Sequence, residues 1–123
     1  MYNILIVDDD SALHFVYQEL FGKIKDYNLI LTKNGIAALG KMASTKIDLM
    51  ITDIKMPEMN GIELIQQVRK IDQKLPIIVC TAFQYMKDDY ELVNANLAAY
   101  VTKPFKNDQF RELVKNILAR AAV

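Results

Sequence analysis

Residues 4–10 read Ile4-Leu5-Ile6-Val7-Asp8-Asp9-Asp10. An apolar run without polar alternation reads as a strand buried on both faces, here Asn3–Val7, and it stops at three carboxylates. The same texture returns four times. Leu29–Thr32 is one instance, and Leu49–Thr52 is another, followed by Asp53. Ile77–Cys80 leads into Thr81-Ala82, and Ala99–Thr102 leads into Lys103-Pro104. Five short β-branched runs of this kind predict five strands.

Between them the continuous apolar runs give way to apolar residues recurring about every 3.6 positions. Leu13, Val16, Leu20, Phe21 and Ile24 recur on one helical stripe, as do Ile36, Leu39, Gly40 and Ala43. Ile62, Ile65 and Val68 form a third stripe, and Phe110, Leu113, Val114, Ile117 and Leu118 form the last. Tyr85–Ala95 fits a helix less cleanly, with Met86, Tyr90 and Val93 on its apolar side. Asp10 or Ser11 can cap the first helix, Gly22 falls near its end, Asn60-Gly61 precedes the third, and Asn107 or Asp108 can cap the last. Strands alternating with helices predict an α/β, doubly wound, five-stranded parallel sheet with helices on both faces. Right-handed crossovers restrict the strand order, and the flavodoxin-like order 2-1-3-4-5 is the common five-strand solution.

The chain has 123 residues, enough for one domain over residues 1–123. Its 15 basic and 15 acidic side chains cancel, so nothing draws it generally to nucleic acid or anionic lipid. The lone Cys80 cannot form an internal disulfide; it reads as inert core. The first apolar run is too short for a signal peptide or a membrane helix, so the expectation is a soluble cytoplasmic domain without membrane contact.

In such a sheet, ligands bind beyond the carboxyl ends of the strands. Asp8, Asp9, Asp53, Thr81, Ala82 and Lys103 all follow strands at that edge. With the first and third strands adjacent, Asp8, Asp9 and Asp53 converge in one crevice. At an effective dielectric near 20, one pair of carboxylates costs about 4 kcal/mol at 4 Å. Either a carboxyl takes up a proton or a cation sits among them. All-oxygen ligands select a hard cation, and a partly hydrated site with one or two direct carboxylates suits Mg²⁺. Taken singly, the same residues read as a helix cap, an ordinary strand Thr and loop punctuation. Their joint placement points to a site for a doubly charged anion bridged by a metal.

Four segments, ILIVDDD, DLMITDIKMPEMNGIEL, PIIVCTA and AAYVTKPF, in this order and spacing resemble a response-regulator receiver domain, the phosphoacceptor module of two-component signalling. The resemblance spans Ile4 to Leu118. It implies that Asp53 is the phosphoacceptor. It implies a Mg²⁺ (or Mn²⁺) ion held directly by Asp9, Asp53 and the Lys55 carbonyl, and by Asp8 through water. Thr81, Ala82 and Lys103 would bind the phosphoryl group, Thr81 and Tyr100 would form the switch, and the Lys103–Pro104 bond would be cis. The donor would be a histidine kinase or histidine phosphotransfer protein, and the output a downstream protein or output domain. A homodimer through the fourth predicted helix, the fifth strand and the last helix is also implied. Lys55 and Phe83 stand at positions that tune phosphoryl lifetime in the family. Asn96 replaces the usual glycine before the fifth strand and tolerates the left-handed conformation, and Ala98 and Ala99 make the output face less acidic.

Other classes share parts of this pattern. A phosphohydrolase of the haloacid-dehalogenase kind also uses Asp, Mg²⁺, Thr and Lys, with Asp-x-Asp after the first strand, which Asp8-Asp9-Asp10 would satisfy, but it carries a cap or further acidic loop that is not expected in this short chain. A flavodoxin-like cofactor binder needs a Ser/Thr/Gly-rich phosphate loop where this chain has three acids. A pseudo-receiver would lack the acid set. Phosphorylation here is self-catalysed chemistry, so the expectation is a switch and not an enzyme. His14 reads as a solvated helix position. Met42, Met50, Met56, Met59 and Met86 read as packing or turn residues, and Met56-Pro57 with Asn60-Gly61 as the shape of the loop after Asp53.

Overall fold

The structure, a computed structural model, describes every residue except 84–88, 90, 91, 93, 122 and 123. The chain runs β1 (Tyr2–Val7), α1 (Ser11–Phe21), β2 (Tyr27–Thr32), α2 (Gly35–Ser44), β3 (Leu49–Thr52), α3 (Gly61–Ile71), β4 (Ile77–Thr81), β5 (Ala99–Thr102) and α4 (Asn107–Ala121). All strand pairs are parallel, and the order is β2-β1-β3-β4-β5. The predicted fold class and strand order are therefore observed. The predicted helix over Tyr85–Ala95 lies outside the described residues, apart from Asp89, Leu92, Asn94 and Ala95. No helix among the described residues is long and apolar enough to cross a membrane.

The central strands β1, β3 and β4 divide their side chains by alternation. Leu5, Val7, Met50, Ile77 and Val79 face one layer, with Ala38 of α2 and Leu64, Ile65 and Val68 of α3. Ile4, Ile6, Leu49, Ile51, Ile78 and Cys80 face the other, with Tyr17, Leu20 and Phe21 of α1 and Phe110, Val114, Ile117 and Leu118 of α4. Each fully buried aliphatic contributes about 1.5–3 kcal/mol. Burial also pushes the Cys80 thiol up to about 11, despite its hydrogen bond with Tyr17, so the thiolate is disfavoured. β2 and β5 depart from the expectation of two buried faces. Both are edge strands and are half exposed along most of their length.

Helix ends follow local chemistry. Asp10 is the α1 cap, accepting from the Ala12 N–H at 2.9 Å, and Gly22 closes that helix, so Ile24 lies past its end. Asn60 and Glu63 form a capping box at α3. α4 begins at Asn107 itself. The Lys106 carbonyl accepts from the Phe110 N–H at 3.0 Å, so the predicted caps Asn107 and Asp108 lie inside the helix. α2 is turned relative to the expected stripe. Ile36 is 56% exposed, Gly40 and Ala43 are also exposed, and Gly35 and Ala38 are buried instead. The cause is packing against the loop after β3. A Cβ on Gly35 would lie 2.8 Å from the Met59 sulfur, so a larger residue there would require the Met59 side chain to shift.

Candidate functional site

The ladder between β1 and β3 continues one residue past β3, with the Asp53 N–H donating to the Val7 carbonyl at 3.0 Å. Asp8 and Asp53 therefore stand on neighbouring chains at the carboxyl edge. Lys103 follows β5, and its backbone N–H donates to the Thr81 carbonyl at 2.8 Å. Its ammonium lies 2.9 Å from Asp8 Oδ2 and 2.9 Å from Asp53 Oδ2. One cation thus clasps two carboxylates 45 residues apart in sequence. The Lys103–Pro104 peptide is cis.

The electrostatics follow from burial. The Asp8 side chain is only 1% exposed. Desolvation raises its carboxyl above the ordinary range, and the Asp53 charge adds to this. The hydrogen bond from Lys103, the N–H of Asp10 and the Lys103 charge oppose the rise without cancelling it. For Lys103, burial alone would lower the pKa. The hydrogen bonds to Asp53 and Asp8, with their charges, reverse that and leave the ammonium more tightly protonated than a free lysine. The repulsion expected between these acids is thus met by the protein's own cation. Asp53 is held a second time, through Oδ1, by the Ile54 N–H at 2.6 Å.

Asp9 is exposed beside Asp8, and Lys55 and Ala82 are exposed as well. Among the described residues, no three acids, histidines or cysteines close into a metal cage by themselves. The edge does offer two clasped carboxylates, a third acid next in sequence and backbone oxygens. That all-oxygen donor set fits a hard divalent cation that keeps several waters.

Thr81 is fully buried, and its hydroxyl accepts from the Phe83 N–H at 3.3 Å. The Tyr100 hydroxyl donates to the Phe83 carbonyl. Phe83 is thus gripped at both ends of its backbone by Thr81 and Tyr100. The Lys55 ammonium sits 5.6 Å from the centre of the Phe83 ring, a cation–π contact. Sequence reasoning paired Thr81 with Tyr100 and named Lys55 with Phe83, but had no signal that Phe83 joins the two pairs.

Gly61 explains how the loop after Asp53 is held. A Cβ there would lie 2.1 Å from the Asp53 carbonyl oxygen, and the Gly61 N–H donates to the Ile54 carbonyl at 2.7 Å. His14 corrects the expectation of a solvated side chain. It is half-buried, and its Nε2 lies 2.7 Å from the Asp8 carbonyl and 3.2 Å from that of Thr32. Asn96 adopts the left-handed conformation anticipated for it, at φ 57°.

Comparison with known proteins is consistent with this geometry. Residues 4–115 match the family described as the response regulator receiver domain. The probable transcriptional regulator ycf29 of Porphyra purpurea is 35% identical over 97% of this chain, which spans 57% of that protein's length. Sporulation initiation phosphotransferase F of Bacillus subtilis is 32% identical over 94% of this chain and 92% of its own. The crystal structure of response regulator TrrA from Thermotoga maritima, in complex with Mg²⁺-BeF, has a TM-score of 0.86 and 33% identity. That alignment covers 95% of this chain and 99% of the other.

Proposed function

This chain belongs to the response regulator receiver domain family of two-component signalling, and we propose that within it Asp53 accepts a phosphoryl group from a phosphohistidine donor, on a histidine kinase or a histidine phosphotransfer protein. The observation that carries this reading is the clasp of Lys103 on Asp8 and Asp53 at the sheet's carboxyl edge.

In the reaction, an Asp53 carboxylate oxygen attacks phosphorus. The phosphorus–nitrogen bond of the donor breaks, and the imidazole leaves with the electron pair and takes a proton from solvent. Such a transfer needs positioning and charge neutralisation more than covalent help. The Ile54 N–H and the Lys103 ammonium fix the two oxygens of the acceptor. Lys103 can then turn to the phosphoryl oxygens. Asp9, Asp53 and the Lys55 carbonyl would hold Mg²⁺, with Asp8 acting through water, and the Mg²⁺-BeF complex of the Thermotoga relative supports this choice of ion. When bound, the ion supplies positive charge for the transferring group.

The switch follows from the grip on Phe83. Phosphorylation adds about −1.5 to −2 charges and strong acceptors beside Thr81. A Thr81 hydroxyl drawn to the phosphoryl group gives up the Phe83 N–H, and Tyr100 then loses its acceptor's fixed position. The surface around β5 and α4 would carry that change to a downstream protein or output domain.

The test is incubation with MgCl₂ and acetyl phosphate, followed by intact mass. One phosphoryl adduct is expected, lost in Asp53→Asn and with chelator. An adduct that survives Asp53→Asn would remove Asp53 from the role.

A further inference from the structure

We propose that His14 is a positioning residue for the metal-facing peptide between Asp8 and Asp9, an inference that rests on the receiver reading of this edge. The Asp8 carbonyl lies beyond the end of β1, where it is an acceptor the sheet ladder does not reach. His14 stands one turn into α1 and brings Nε2 to 2.7 Å from that oxygen. A second carbonyl, that of Thr32, lies 3.2 Å from the same nitrogen. Carbonyls only accept, so Nε2 carries the proton and donates to both, with the Asp8 bond the shorter. The Thr32 carbonyl also accepts the Asp8 N–H at 3.1 Å.

Asp8 is therefore fixed on every side. Its N–H is bound to β2, its Oδ1 accepts from the Asp10 N–H, its Oδ2 accepts from Lys103, and its carbonyl accepts from His14. The plane of the Asp8–Asp9 peptide follows from the last of these, and that plane sets the direction in which Asp9 leaves the backbone. Asp9 is exposed. Its aim toward a cation depends on the peptide that carries it. His14 supports a metal ligand through the backbone, the kind of outer contact whose loss costs about 10–100-fold in metal affinity.

The experiment is titration of the whole protein with MgCl₂ from a chelator-treated start, read as melting temperature. It compares the wild type with His14→Phe, which keeps a ring and removes the donor, and His14→Gln, which keeps a donor. A purely structural role lowers every melting curve equally. A positioning role moves the Mg²⁺ concentration at which the temperature rises. For His14→Phe that concentration should rise about tenfold, and for His14→Gln it should stay near the wild-type value. Equal Mg²⁺ response in wild type and His14→Phe would overturn the proposal, as would equal weakening in Phe and Gln. A wild type that shows no Mg²⁺ response would instead overturn the metal-site reading beneath it, and this role with it.

Discussion

Lys103 shows how one side chain sets the energetics of an edge. Its ammonium is shared by two carboxylates that would otherwise face each other. Because its folded-state pKa is raised, its contribution is complete below the unfolded lysine value of about 10.4 and disappears as pH rises through the folded value. In chelator, Lys103→Met should be less stable than wild type by about 3 kcal/mol. Denaturant melts should show that gap holding from pH 7 to 9 and shrinking above about pH 10.5. A gap that grows with alkalinity would contradict the clasp. Gly61 acts at the same scale by size alone. Gly61→Ala drives a methyl into the Asp53 carbonyl and the Ile54 Cα, an overpacking cost of about 1–3 kcal/mol. Its displacement falls on the acceptor, so the variant should take up phosphoryl from acetyl phosphate more slowly than wild type even at temperatures where it is fully folded. Intact mass over time measures this, and an unchanged rate would show that the loop can yield without moving Asp53.

Among the elements, α3 is tied to the chain ahead of β5 by Arg69. Its Nε donates to the Ala95 carbonyl at 2.7 Å, and its two terminal nitrogens donate to the carbonyls of Asn96 at 3.0 Å and Asp72 at 3.1 Å. Burial lowers the guanidinium pKa, with the Asp72 charge opposing, yet arginine remains charged at any ordinary pH. Arg69→Leu removes all three donors and leaves the part-buried Ala95 and Asp72 carbonyls unpaired, while the exposed Asn96 carbonyl turns to water. The expected loss is about 2 kcal/mol in denaturant unfolding, with Arg69→Lys recovering only part, because one ammonium cannot match a three-armed fork. Full recovery by lysine would reduce the contact to simple charge. This tie was not legible in the sequence, because a lone arginine on an exposed-looking helix end carries no periodicity. The strands were legible, because β-branched runs ending in Asp, Thr or Lys carry both a period and a stop. The stripe of α2 was misread by about one position, since the tight face at Gly35 is set by Met59 from another element. His14 was misread for the same reason, as its partners lie at strand ends and not on its own helix. Asp8, Asp53 and the Lys103 ammonium were placed at one edge by strand order alone, but the clasp of that ammonium on both carboxylates was visible only in three dimensions.

Across the whole molecule, two cores lie on opposite faces of one sheet, and the candidate site occupies the edge where both end. Among the described residues the two cores form separate side-chain clusters, but they share the backbones of β1, β3 and β4, with successive residues of each strand belonging to opposite layers. Neither layer can melt without exposing strands that the other needs, so the domain should unfold in one step. Of the six tyrosines, Tyr2, Tyr17 and Tyr27 pack in the α1–α4 layer and Tyr100 packs in the other. The chain has no tryptophan, so in a background with Tyr85, Tyr90 and Tyr100 replaced by Phe, tyrosine fluorescence reports the α1–α4 layer. Leu64→Ala cuts a fully buried side chain in the other layer and should cost about 2–5 kcal/mol. If the shared strands couple the layers, tyrosine fluorescence and far-ultraviolet circular dichroism of Leu64→Ala should fall at one common, lowered temperature. Tyrosine fluorescence that stays at the transition of that background while the dichroism shifts would mean that the layers melt separately. In that case a change at the Asp53 edge could reach one face without the other, and the site's place at the junction of both would lose its significance for signalling.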